Sequence, residues 1–202
     1  MNIFIENFRK DFTRILNRET HEIDISIRMG SRCIAVGHDS KLVSKILESF
    51  VILALIEYCN SCNIEFREND IQNKYPDFVI FYDNRPIAID IKTSYLIKQN
   101  TIGGFTLGAY SGYFRDRKSV KNTLYPYDDY VSNLCICIIY NRTNDGVNVR
   151  HCLIQPKWMI ASKRAGSGNT KNIGSIKSVD DMLNGKSVFA SKTDFEEYWM
   201  NY

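Results

Sequence analysis

Apolar residues recur at Ile3, Phe4, Phe8, Phe12 and Ile15, with Glu6, Arg9, Lys10 and Asp11 between them. That spacing of three and four predicts an amphipathic helix over 3–17. The period then drops to two. Glu22-Ile-Asp-Ile-Ser-Ile-Arg28 alternates polar and apolar, which predicts a half-buried strand, and 32–36 predicts a second. Asp39 or Ser40 can cap a long helix from about 41 to 60. Its middle, Phe50-Val-Ile-Leu-Ala-Leu-Ile, is apolar on all sides and predicts a central position. Short strands follow near 64–67, 77–82 and 87–93, the last two joined by the turn-forming run Tyr82-Asp-Asn-Arg-Pro86. Residues 98–125 are looser and rich in glycine and basic side chains. Residues 126–134 read as a helix, 134–141 and 147–154 as strands, and 163–175 as a Gly/Ser/Asn loop. A C-terminal helix closes the chain, with Thr193 and Glu196 spaced as a capping box ahead of Phe195, Tyr198 and Trp199. Strands and helices intermix, so the expected class is α/β (α+β), a mixed central sheet flanked by helices.

Composition narrows the partners. With 202 residues and 44% hydrophobic content, the chain can bury one sizeable core, and 12% aromatic residues argue against disorder. The charged N-terminal segment leaves no apolar stretch for a signal peptide, and the run between Glu48 and Glu57 is too short to span a bilayer. A cytoplasmic protein is expected. Cys59 and Cys62 form a lone CxxC without a second ligand pair at matching spacing, so the six cysteines read as reduced, mostly buried thiols rather than a zinc site. The net charge of +3 is unevenly spread: residues 91–127 carry +5, residues 146–179 carry +6, and the remainder carries −8. Two basic segments on an otherwise acidic chain point to a polyanion, although two solvated faces would give the same count.

Chemistry concentrates in Tyr75-Pro-Asp77, a gap of twelve residues, and Asp90-Ile-Lys92. A hairpin centred between Asn84 and Arg85 places Asp77 opposite Lys92, and Asp90, two residues away, on the same face. A slip of one residue would destroy the arrangement. Ile87, Ala88, Ile89 and Ile91 flank Asp90, so this strand is expected to be buried on both faces. Buried carboxylates that close repel unless a cation joins them, and their hard oxygens suit Mg²⁺. Such an ion activates water and polarises a phosphodiester, while Lys92 can orient that water or stabilise charge developing on phosphorus. A plain Asp77–Lys92 salt bridge would explain the spacing equally well. Glu48 interrupts the apolar face of the long helix and is a further candidate acid, or else a residue turned to solvent.

A second informative run is Ala165-Gly-Ser-Gly-Asn-Thr-Lys-Asn-Ile-Gly-Ser. Gly166 and Gly168 allow close backbone approach to a ligand. Asn169 and Asn172 can each pair bidentately with adenine in a major groove, Thr170 can touch a thymine methyl, and Lys171 can meet phosphate. An ordinary flexible loop is the alternative. No Gly-Lys-Ser/Thr ending follows a strand in this run, so a P-loop is a poor alternative.

Taken in order, Gly37-His-Asp-Ser-Lys41, Tyr75-Pro-Asp-Phe78, Ala88-Ile-Asp-Ile-Lys-Thr-Ser-Tyr95, Phe105-Thr-Leu-Gly108, Tyr125-Pro126, residues 165–176 and the ending Tyr198-Trp-Met-Asn-Tyr202 are similar to a type II restriction endonuclease. The chain resembles the PD-(D/E)xK nuclease superfamily over most of its length. The resemblance implies a single domain over 1–202, with about 1–36 contributing to dimerisation, 37–140 forming the catalytic core and 141–202 carrying the recognition loop and C-terminal region. It implies Asp77 and Asp90 as Mg²⁺ ligands (Mn²⁺ expected to substitute), Lys92 as the catalytic lysine and Glu48 as an auxiliary acid and metal ligand. Gly166, Ser167, Gly168, Asn169, Thr170, Lys171 and Asn172 would read bases. Gln72 and Asn73 would lie near the minor groove, and Ser40, Lys41, Thr93, Ser94 and Lys121 would contact the backbone. It further implies a homodimer on palindromic double-stranded DNA, GATATC cut to blunt ends, and a partner methyltransferase in a bacterial host. The sequence departs from the relative after Arg142, where Asn144-Asp-Gly146 makes a tight turn in place of a long excursion. It also departs at Gly112, where the relative has a serine near phosphate; at Lys74, where it has a histidine; by one extra residue around Lys118; and in the recognition run at Lys171. A structure-directed repair or junction nuclease of the same fold and a catalytically silent DNA-binding module are the competing readings.

Overall fold

The computed structural model describes residues 2–19, 22–24, 26–35, 39–71, 73–144, 146–166 and 171–202. Helix α1 (Asn2–Glu19) leads into β1 (Glu22–Asp24) and the small hairpin β2 (Ser26–Met29) and β3 (Arg32–Ala35). Helix α2 (Ser40–Cys62) is capped by Asp39, whose carboxylate accepts from the amides of Lys41 and Leu42, and it ends on Asn63 in the left-handed conformation. The strands β4 (Phe66–Glu68), β5 (Phe78–Tyr82) and β6 (Arg85–Lys98) follow, then β7 (Thr101–Ile102), β8 (Thr106–Ala109) and the short helix α3 (Tyr110–Phe114). After a single 3-10 turn (Tyr127–Asp129) come β9 (Ser132–Arg142), β10 (Gly146–Pro156), α4 (Lys157–Ile160), β11 (Ala161–Ala165), β12 (Asn172–Ser175), α5 (Val179–Leu183) and α6 (Lys192–Met200). None of these helices is long and apolar enough to cross a membrane.

Among the described residues one sheet runs β1-β10-β9-β6-β5-β4, with β7 paired to β6, and a smaller one runs β11-β12-β8. In the large sheet only β6 and β9 pair in parallel, which makes it a mixed sheet. Side-chain alternation divides this sheet into two buried faces. One face carries Phe78, Ile80, Ile87, Ile89, Ile91, Ile136 and Ile138. It is covered by α1 through Phe8, Phe12 and Leu16 and by α2 through Val43, Leu47, Val51 and Leu55. The other carries Val79, Ala88, Cys135, Cys137 and Ile139 under Tyr75, Tyr113, Tyr127, Phe195 and Trp199. Cys59 and Cys152 are also buried, Cys33 and Cys62 are exposed, and all six thiols are free.

Several expectations change. Helix α2 is not buried all round, because Leu53 is 61% exposed on the side turned from the sheet. Residues 126–134 do not form a helix. Tyr127 and Tyr130 are buried at a helix-like spacing of three, but the amide of Val131 donates to the carbonyl of Pro86 and draws the chain alongside β6, where β9 begins. The described ends of the 163–175 run are strands rather than loop, since β11 and β12 pair through Ala165 and Ile173. The last helix is capped two residues earlier than its Thr/Glu spacing suggests: Ser191 accepts from the amide of Asp194, and Asp194 accepts from that of Ala190. Glu196 is occupied instead by Arg117, at 3.0 Å.

Candidate active site

The β5–β6 connection sets the geometry. Asp83 and Asn84 hold φ of 50° and 57°, the left-handed pair of a two-residue hairpin turn, so Tyr82 pairs with Arg85. The hairpin centre thus falls one residue earlier than the sequence suggests. Pairing runs Phe78–Ile89, Val79–Ala88, Ile80–Ile87, and one step beyond the ladder Asp77 comes opposite Asp90 rather than Lys92. The shift is by two positions, so every side chain keeps its face. Asp77, Asp90 and Lys92 line one cavity of about 300 Å³ together with Asn73, Tyr113 and Asn122. The Oδ2 of Asp77 accepts from the amide of Ile91 at 2.7 Å, and the Nζ of Lys92 donates to Oδ1 of Asp90 at 2.8 Å.

The two carboxyls titrate in opposite directions. Burial and the charge of Asp90 push Asp77 up, against the opposing pull of Lys92 and the Ile91 amide. Burial also acts to raise Asp90, but Lys92 and Lys157 outweigh it and hold that carboxyl below its ordinary range. Burial lowers Lys92, yet Asp90 and Asp77 more than reverse this and keep it charged. Two buried carboxyls this close are driven apart, Asp77 toward its neutral form and Asp90 toward its charged form. Convergent hard oxygens and a like-charge conflict that a cation would resolve fit a divalent metal such as Mg²⁺.

Glu48 is not brought to this pair. Helix α2 packs on the sheet face that carries Ile91, and Ser44 of that helix meets Thr93 at 2.6 Å, whereas Asp90 and Lys92 point to the other face. Glu48 pairs with Lys45 at 2.6 Å and lines a neighbouring cavity of about 440 Å³ with Ser40, Lys41, Thr93 and Ser94. Among the described residues no three His, Cys, Asp or Glu side chains gather closely enough to hold an ion.

The Gly/Ser/Asn run connects to the same cavity through β8. Asn172 pairs with Ala109 of β8, the amide of Tyr110 donates to the carbonyl of Lys171, and the amide of Gly166 donates to that of Asn172. Thr106, Gly108 and Ala109 of β8 line the carboxylate cavity. A Cβ on Gly166 would lie 2.4 Å from the Thr106 methyl, so the hairpin stem sits tight against β8. Ser167, Gly168, Asn169, Thr170 and Gln72 lie outside the described residues. Asn73, at φ 66°, stands on the cavity wall, and Lys121 is exposed in the loop before β9.

One residue of the site escapes motif reading. Lys157 counts in sequence as part of a basic segment facing a polyanion, but it is 1% exposed and its Nζ lies 3.5 Å from Oδ2 of Asp90. Burial lowers its proton affinity and Asp90 partly restores it. Its signal in the sequence is a lone charge within the apolar run Leu153-Ile-Gln-Pro-Lys-Trp-Met-Ile. Arg117, counted in the other basic segment, is engaged by Asp128 and Glu196.

A profile of the restriction endonuclease EcoRV family matches residues 17–202. The type II restriction enzyme EcoRV of Escherichia coli is 34% identical over 223 aligned positions, covering 97% of this chain and 89% of that protein. In architecture the chain is similar to the NlaIV restriction endonuclease, with a TM-score of 0.56 over 95% of this chain and 85% of the other at 15% identity, a likeness of fold. With the profile spanning nearly the whole chain and the DxK strand folded into a buried carboxylate pair, this protein belongs to the EcoRV family of type II restriction endonucleases.

Proposed function

We propose that this chain acts as a homodimer that hydrolyses double-stranded DNA at GATATC, with Mg²⁺ held by Asp77 and Asp90, and leaves blunt ends. The observation that carries the reading is the sharing of β8: one strand lines the Asp77–Asp90–Lys92 cavity and pairs with Asn172 at the base of the recognition run. Base reading and bond breaking are thereby mechanically joined. Mg²⁺ on these oxygens supplies Lewis-acid polarisation of the phosphodiester and a more acidic water. Mn²⁺ meets the same donor set and is expected to substitute.

The residues divide the work. Lys92 orients the attacking water and stabilises charge developing on phosphorus while the P–O3′ bond breaks. Asn169 and Asn172 pair with adenine edges, Thr170 meets a thymine methyl, Lys171 meets phosphate, and Gly166, Ser167 and Gly168 bring the backbone close to the groove. Gln72 and Asn73 follow the minor groove. Ser40, Lys41, Thr93, Ser94 and Lys121 bind the DNA backbone, and Glu48 acts as an auxiliary acid from the adjoining cavity. A two-fold dimer reads a palindrome with each loop on one half-site, and the flexible central TA step is where such DNA bends at least cost. The setting is a bacterial cytoplasm, where a methyltransferase protects the same site.

The test is digestion of plasmid DNA with Mg²⁺ followed by sequencing of the ends. Discrete fragments ending GAT/ATC support the full reading. Discrete fragments with other termini retain the restriction enzyme and overturn the base assignments. A smear favours a structure-directed or non-specific nuclease, and intact DNA under tight site-specific binding favours a silent binding module.

A further inference from the structure

Lys157 stands at the first position of α4, directly after β10, and its side chain runs beneath β6. Its ammonium is enclosed by three partners. Asp90 Oδ2 lies at 3.5 Å, the Tyr75 ring centre at 3.7 Å and the Tyr113 ring centre at 4.8 Å. Among the described residues no hydrogen bond of ordinary geometry is made by the Nζ, although it is fully enclosed. A carboxylate and two aromatic faces are the surroundings that favour a cation over a neutral amine. Tyr75 is itself fixed, since its hydroxyl donates to Asn133 at 2.7 Å. The pocket is thus a rigid cage for a positive charge, yet this lysine faces the floor of the carboxylate pair and not the open cavity that a DNA strand would enter.

Charge accounting gives the cage a purpose. At the depth of the pair stand two carboxyls, Asp77 and Asp90, and two ammonium groups, Lys92 and Lys157. Lys92 is 24% exposed and can follow a ligand, whereas Lys157 is 1% exposed and cannot leave. A divalent cation entering this site meets two ammonium groups beside the carboxyls that would hold it, instead of carboxyls with no opposing charge. A phosphodiester brings the negative charge that the site lacks.

We propose that Lys157 is a positioning residue that holds Asp90 from below and acts as a fixed counter-charge, making divalent-metal capture by Asp77 and Asp90 depend on the arrival of a DNA phosphate. This rests on the reading of the two aspartates as metal ligands. A restriction enzyme gains from such coupling because the complete site then assembles only on DNA.

The decisive measurement is a calorimetric titration of the DNA-free protein with Mn²⁺ and with Ca²⁺, for the unmodified chain, Lys157→Met and Lys157→Gln. Glutamine keeps an N–H donor toward Asp90 but removes the charge, so it separates position from charge. Both variants should bind the metal more tightly than the unmodified chain, by about tenfold or more. Equal or weaker binding in a variant whose thermal transition remains cooperative overturns the proposal, because a merely structural lysine would leave the affinity unchanged or reduce it. If neither variant folds, Ca²⁺ titration of the unmodified protein with and without a short GATATC duplex decides: affinity must rise with DNA, and unchanged affinity sinks the idea. Failure of the functional reading looks different. It shows as absent cleavage of DNA by the unmodified enzyme, while the DNA-free titrations of the variants still report on Lys157.

Discussion

The Nζ of Lys92 donates to Oδ1 of Asp90 at 2.8 Å, so the catalytic lysine candidate is held by the same carboxylate that is proposed as a metal ligand. Both side chains depend on each other before any substrate arrives. Asp90→Ala and Lys92→Ala should each lower single-turnover cleavage at saturating Mg²⁺ by at least about a hundredfold, the scale of losing one preorganised charge-stabilising group. Binding to the DNA site, followed by gel shift, should survive in both. Near-normal cleavage by either variant would remove that residue from the chemistry.

Asp77 gives the pH dependence. Burial and Asp90 raise its carboxyl from an ordinary 3.8 to about 7 in the folded protein. Between those values the folded chain holds a proton that the unfolded chain has released. Stability of the metal-free protein therefore falls as pH rises from about 4 to about 7 through this group, then levels. A cation needs that proton gone. Metal affinity should rise with pH up to about 7 and flatten above it, with proton release on binding at pH 6 and little at pH 8. Calorimetry in buffers of different ionisation heat measures this directly, and equal proton release at both values would contradict it.

Gly108 is a packing constraint on the same cavity. Its φ is +90°, and a Cβ there would stand 1.7 Å from the Tyr113 hydroxyl oxygen. Tyr113 is buried against Lys157 and Tyr75, so it has little room to retreat. Gly108→Ala should cost about 1–3 kcal/mol through overpacking, with a further contribution of about 1–2 kcal/mol from the left-handed backbone. Tyr113→Phe in the same chain should recover part of the loss, since it removes the nearest atom. Chemical denaturation of the two variants reads both numbers, and a fully stable Gly108→Ala protein would show that β8 can move.

Legibility of the site followed the range of the interactions. Helices α1 and α2, the β5–β6 hairpin and the β9–β10 pair are written in local periodicity, and the faces of Asp77, Asp90 and Lys92 follow from a strand's period of two. The hairpin register differs by two positions from the one the sequence predicts because the run Asp83-Asn84-Arg85-Pro86 offers several turn centres, and only the left-handed φ of Asp83 and Asn84 selects one. Residues 126–134 mislead because burial of Tyr127 and Tyr130 at a spacing of three comes from the second core, not from a helix. Lys157 could not be placed, since its partner lies sixty-seven positions away and is reached through β9 and β10.

Glu48 tests how far family roles transfer by geometry. It lines the cavity of Ser40, Thr93 and Ser94 rather than that of Asp77 and Asp90, and its carboxylate is engaged by Lys45 at 2.6 Å. An acid that binds the same ion as the pair should, when removed, reduce cleavage as severely as Asp90→Ala. An acid that works from the adjoining cavity should have a graded effect. Glu48→Ala is expected to lower cleavage by no more than about tenfold, the scale of one partly exposed charge, and to leave Mn²⁺ affinity of the DNA-free protein unchanged. Asp77→Ala, in contrast, should abolish detectable Mn²⁺ binding. The comparison of the two variants by the same titration is sharp: loss of metal binding in Glu48→Ala would mean that α2 swings its acid around the end of β6 when the ion enters, and that the two cavities become one in the working enzyme.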